Sequence, residues 1–203
     1  LMAVVGLPML GRTSAGSCRV YCRNNIKQLG LMFQMFNSDN GSNFITRLDD
    51  GLGQGKKYTH GRSSVLECYV ALAPYIKSPR VLVCPADEDD KAREKAPHEF
   101  TNLTDRAVSY FIGIDANETK PQMLLIGARN LGSDLTGATL FPADGVRTNA
   151  LRLTASWQRT TIHLGRGNIG TADGGAQQAD NRQLLKILAS TGDTNNTVLL
   201  PKP

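Results

Sequence analysis

One stretch constrains this chain more than any other. Between Ser14 and Ser38, Cys22, Ile26, Leu29, Phe33 and Phe36 recur at steps of three and four, which places them on one stripe of an α-helix. Arg19, Arg23, Asn24, Lys27, Gln28 and Gln34 fall largely off that stripe. The preceding "LMAVVGLPML", residues 1–10, is uncharged and mostly apolar. Residues 1–38 are therefore expected to form one long helix, apolar at first and amphipathic after. Pro8 and the glycines at 6, 11 and 16 weaken or kink the first half, and Asp39-Asn40-Gly41 ends it. Ten apolar residues cannot cross a bilayer, which takes about 20. The reading is the second half of a membrane helix that starts before residue 1; the rival is a buried N-terminal core segment.

Residues 39–203 are expected to form the globular part. Residues 37–62 are rich in Gly and Asn and read as loop. Ser63 or Ser64 caps a second helix, with Glu67 in its first turn and Pro74 and Pro79 bracketing its end. "RVLVC", residues 80–84, reads as a buried strand, and the mixed charges of 87–95 as a solvated segment. Further strands are expected at 107–114, 122–128, 160–164, 168–172 and 176–179. Residues 130–156 look like an irregular insertion. Asp180 caps a short helix over 181–189, with Gln183 completing a capping box and Gly192 just beyond its end. "TVLLP" adds an edge strand. Strands joined by short turns, without βαβ alternation, give an α+β fold: a long N-terminal helix on an antiparallel sheet, with short additional helices.

Chemistry is harder to read. "HLGRGNIGTADGGAQQ", residues 163–178, carries Gly165, Gly167 and Gly170 in GxGxxG spacing. A dinucleotide cradle needs a helix after the last glycine, but "TADGGAQQ" is turn and strand. Asp173-Gly174 instead predicts a hairpin with a type I′ turn, and Gly165 and Gly167 a turn before it. "GLGQGKK" fails as a P-loop, having Asp50 and Lys57 where Gly and Ser or Thr belong. The 23 Lys and Arg against 18 Asp and Glu give a net charge of +5, without a like-charge block or interleaved aromatics, so nothing marks a nucleic-acid surface. The four cysteines, Cys18, Cys22, Cys68 and Cys84, include no CxxC pair, which argues against zinc. Among His60, His98 and His163, a pairing of His163 with Cys68 or Cys84 in space is conceivable, but no spacing supports it; His163 reads as a structural residue. Asp39, Asn40, Asp87, Asp89, Asp90 and Asp173 could supply calcium ligands, yet none sits in an EF-hand loop.

Several segments together resemble one family. "CRNNIKQLGLMFQMFNSDNG" (22–41), "SPRVLVCPAD" (78–87), "SYFIGIDANETKPQMLLIGARNL" (109–131) and "HLGRGNIGTADGGAQQ" (163–178) resemble, in this order, segments of type IV pilin-like proteins. The likeness is to the type II secretion pseudopilin class, of the planctomycete and verrucomicrobial type. It covers most of residues 8–203 and is weakest over 132–156. Pro8 resembles the proline midway along the family's hydrophobic helix. The resemblance implies a leader, a methylated N-terminus and the first half of that helix ahead of residue 1. It implies a non-catalytic filament subunit without a cofactor, whose partners are other pilin-like subunits and, before assembly, the inner membrane. The globular domain would stand in the periplasm or on an extracellular filament. The two motif cysteines, Cys22 and Cys84, then become candidates for a disulfide from helix to sheet. Two rival functions stand beside this. One is a minor pilin-like binding module whose loops at 42–62 and 130–156 recognise a glycan, a secreted substrate or calcium. The other is a cysteine-dependent hydrolase.

Overall fold

The computed structural model describes residues 3–41, 64–87, 97–117, 119–133, 148–150, 155–158, 162–193 and 196–201. A single helix, α1, runs from Ala3 to Asp39, about 55 Å at 1.5 Å per residue. It ends where the sequence predicts: the Asn40 N–H and Nδ2 both donate to the Phe36 carbonyl, at 3.1 and 2.7 Å, and Gly41 takes a left-handed φ of 65°. Helix α2 spans Val65–Ala71, with Ser64 Oγ accepting from the Glu67 N–H. Helix α3 spans Asn181–Ser190 behind a capping box in which Asp180 and Gln183 exchange both bonds.

The strands are β1 (Tyr110–Gly113), β2 (Leu124–Ala128), β3 (Leu131–Ser133), β4 (Thr148–Ala150), β5 (Ala155–Trp157), β6 (Gly167–Thr171), β7 (Ala176–Ala179) and β8 (Thr197–Leu199). Six form one sheet in the order β4-β8-β1-β2-β6-β7, every neighbour antiparallel; β3 and β5 pair separately. The fold is therefore α+β, a long helix on an antiparallel sheet.

The sheet has an apolar layer on each face. On one face lie Cys22, Ile26, Leu29, Phe33 and Phe36 of α1 with Tyr69 of α2 and Tyr110, Ile112, Leu125 and Ile126 of the sheet. On the other lie Phe111, Leu124 and Ile169 with Trp157 of β5 and Leu184 and Leu188 of α3. Leu125 and Ile126, though adjacent, both face α1, because the β2/β6 register shifts between Leu124 and Ile126. The predicted packing stripe is thus buried throughout, at about 1.5–3 kcal/mol for each fully buried large apolar side chain.

Four expectations are corrected. "RVLVC" is not a strand: Pro79–Leu82 is a 3₁₀ helix capped by Ser78, and its backbone is used elsewhere, the Leu82 carbonyl by the Ser109 N–H and the Val83 carbonyl by Asn25. Of the strand expected at 160–164, the described residues 162–164 form a turn instead; His163 and Leu164 have φ of 58° and 50°, which no strand allows. The last strand is not an edge, since β4, from within the presumed irregular insertion, pairs on its outer side. The hairpin at Asp173-Gly174 exists, but not as type I′. The Gly174 N–H donates to the Thr171 carbonyl, the Thr171 N–H donates to the Gly175 carbonyl, and only Gly174 has positive φ. That is the three-residue loop with glycine in the left-handed position.

Candidate functional site

The GxGxxG pattern resolves into three separate structural needs. Gly165 has a φ of 79° in the turn after His163. Gly167 belongs to β6, not to a turn, and a Cβ there would meet the Trp157 ring at 2.3 Å. Gly170 lies under α1, where a Cβ would stand 2.6 Å from Ile126 Cγ2 and 2.9 Å from Ile26 Cγ2.

The distinctive chemistry lies beside them. Among the described residues, one set of three His, Cys, Asp or Glu side chains brings its ligand atoms together: Cys22, Cys84 and His163, all within 4.8 Å of one another. Cys22 comes from α1, Cys84 from the segment after the 3₁₀ helix, and His163 from the left-handed turn before β6. Both sulfurs are fully buried and His163 nearly so. His163 Nε2 is 3.4 Å from Cys84 Sγ, and His163 Nδ1 is buried without a hydrogen-bond partner. All four cysteines are free thiols. Cys22 and Cys84, the candidates for a disulfide from helix to sheet, stand here as two neighbouring thiols beside an imidazole.

Each arm of the site is fixed by a dedicated polar side chain. Next to Cys22 on α1, Asn25 Nδ2 donates to the Val83 carbonyl at 3.1 Å and to Tyr110 Oη at 3.3 Å. From β6, Asn168 Nδ2 donates to the Arg19 carbonyl at 3.1 Å. Asn130 Nδ2 spans the base of the His163 turn, donating to the Ile162 and Arg166 carbonyls at 3.1 and 2.8 Å. The Cys84 N–H donates to Ser109 Oγ, which donates to buried Asp87 at 2.6 Å. Arg129 closes this chain with a bidentate ion pair to Asp87. His163 and Leu164 sit in backbone conformations that cost about 1–2 kcal/mol each for non-glycine residues; Asn130 is what holds them there.

The electrostatics follow from this packing. Burial pushes the Cys22 thiol up, but hydrogen bonds from Cys84 and His163 and the charge of the His163 ring outweigh it, bringing Cys22 down to about 5. Cys84 moves up, first through its hydrogen bond to Cys22 and then through burial. Burial, more than any other cause, drives Cys68 up, which makes it an inert core thiol.

Among the described residues, the other predicted ligands do not assemble. Asp39 accepts from Tyr75 Oη at 2.8 Å, Asp87 is committed to Arg129 and Ser109, and Asp173 Oδ1 accepts from Thr171 Oγ1 and the Gly175 N–H. The first of these, with the second, holds the Asp173 carboxyl below the usual carboxylate range. Asn40 binds back to α1. His98 stands at the surface beside Arg80. Asp89, Asp90, His60 and the 42–62 loop lie outside the described residues, as does most of 134–154.

Sequence reasoning missed Asn25, Asn130, Asn168 and the Asp87–Arg129–Ser109 chain. The available signal was polar residues embedded in apolar strands and flanks, which must find partners when buried. Compared with known proteins, the chain matches no family model, no curated protein and no solved structure.

Proposed function

We propose that this chain is a non-catalytic structural subunit of a type IV pilin-like filament, of the pseudopilin kind, assembled through α1. One observation carries the reading: on the side of α1 turned away from the sheet, large apolar side chains stand exposed among the polar Asn24, Lys27 and Gln28. The stripe from Cys22 to Phe36 is buried under the sheet, while Val20, Leu31 and Met35 are 49%, 49% and 56% exposed, with Tyr21 beside them at 62%. At 3.6 residues per turn Val20, Leu31 and Met35 fall on the opposite side of the helix and Tyr21 on its flank, and apolar side chains there serve a partner better than water. The partner proposed is the equivalent helix of another pilin-like subunit. Among the described residues no helix is long and apolar enough to cross a membrane, so the reading rests on helix packing. Membrane anchoring before assembly, with the domain outside the cytoplasm, is part of the proposal.

A hydrolase is the weaker reading because Cys22 and Cys84 are fully buried, so no substrate carbonyl can reach either sulfur. The test of assembly is the double variant Leu31→Glu, Met35→Glu, expressed in the cell that makes the protein. The folded chain is expected to persist while the filament fraction released by shear loses it. Unchanged filament content would overturn the proposal.

A further inference from the structure

We propose that Cys22, Cys84 and His163 form a binding site for a single zinc ion, held by two thiolates and the His163 Nε2. The inference does not depend on filament assembly. Three metal-binding side chains from three distant segments converge inside 4.8 Å, and Nε2 already stands 3.4 Å from Cys84 Sγ. Donors around a tetrahedral zinc, with Zn–S near 2.3 Å and Zn–N near 2.0–2.1 Å, lie about 3.5–3.8 Å apart. The sulfurs are not bonded to each other. A disulfide would use both sulfurs and leave His163 unexplained: a ring turned onto them from a left-handed backbone with a φ of 58°. A metal gives that strained placement a purpose.

The surroundings match what a metal requires beyond its ligands. Asn25, Asn130 and Asn168 pin the three ligand-bearing segments through backbone carbonyls. Ser109 and Asp87 pin the Cys84 amide. Such supports normally orient metal ligands. The charge balance favours zinc over another thiophilic ion. Two thiolates and Zn²⁺ sum to zero, which a fully buried site tolerates, whereas Cu⁺ would leave a buried negative charge. Binding replaces the thiol protons, which leave to solvent; no electron is transferred. A water would complete the four-coordinate set.

The experiment uses the full chain, purified under reducing conditions, stripped with chelator, and checked for fold by circular dichroism. Zinc and cobalt(II) are titrated separately. The expected results are one zinc per chain, and a cobalt spectrum with thiolate charge-transfer bands and the visible bands of a tetrahedral site. Cys22→Ser, Cys84→Ser and His163→Gln should each weaken binding by roughly a hundredfold or more, and Asn130→Ala by roughly 10–100-fold. Cys18→Ser should leave binding unchanged. If the ligand variants fail to fold, the wild type decides alone: zinc at about a hundred times its Kd should raise Tm by roughly 5–10 °C. A folded, reduced chain that takes up neither zinc nor cobalt overturns the site. So does binding that survives loss of His163, or a chain that prefers Cu⁺ to zinc. A Cys22–Cys84 disulfide in the native protein, with no metal bound after reduction, overturns it equally.

Discussion

Gly170→Ala tests the docking of α1 onto the sheet at its closest point. The added methyl would sit 2.6 Å from Ile126 Cγ2 and 2.9 Å from Ile26 Cγ2. Both neighbours are β-branched and fully buried, so neither can swing aside cheaply. Overpacking of this kind costs about 1–3 kcal/mol. Stiffening of the unfolded chain by alanine returns about 0.4–1 kcal/mol, which leaves a net loss of roughly 1–2 kcal/mol. At about 2–4 °C per kcal/mol for a chain of this size, Tm should fall by roughly 2–8 °C. The decisive variant is the double one. Ile26→Ala alone should cost about 2–5 kcal/mol, but it removes one of the two methyls that the new side chain at position 170 would strike. Urea unfolding of both singles and the double should show the double less destabilised than the sum by about 0.5–2 kcal/mol. Losses that add to within about 0.3 kcal/mol would refute the contact, and with it the placement of α1 across β6.

Other outcomes follow from the same packing. Asp87→Ala takes the buried carboxylate away from the Arg129 guanidinium and should cost about 3 kcal/mol or more by thermal denaturation. Asn130→Ala frees the carbonyls at the base of the His163 turn and should cost about 1–3 kcal/mol, with faster amide exchange confined to residues 162–166. Asp173→Asn should cost only about 0.5 kcal/mol, because the side chain is exposed. Since the folded carboxyl titrates below the usual carboxylate range, its contribution is present above the unfolded value near 3.9 and fades as pH falls through the folded value. Wild type and variant should therefore converge in stability once the pH has fallen below the folded carboxyl's lowered value.

The helix was legible because its signal is local. Five apolar residues at steps of three and four leave one face to bury, and all five are buried. The helix caps at Ser64 and Asp180 and the strands around Phe111, Ile126 and Ile169 were legible for the same reason. "RVLVC" was misread because a short apolar run looks the same whether its carbonyls join a ladder or are taken singly by side chains such as Asn25. The turn at 162–164 was read as strand because nothing in the residue types of His163 and Leu164 announces a left-handed backbone; Asn130, distant in sequence, braces it. The site was legible only in pieces: the resemblance put Cys22 with Cys84, and His163 with Cys84 was conceivable, but no spacing joined the three. Cys84 and His163 are 79 residues apart, and only the docking of α1 on the sheet brings Cys22 to them.

The central claim is that α1 serves its own sheet with one face and a neighbouring subunit with the other. A photo-crosslinking residue placed at Leu31 in the producing cell tests this most directly. The account predicts a ladder of crosslinked pilin-like subunits from Leu31, and none from Lys186 on α3. Crosslinks absent at Leu31, or equally strong at Lys186, would contradict it.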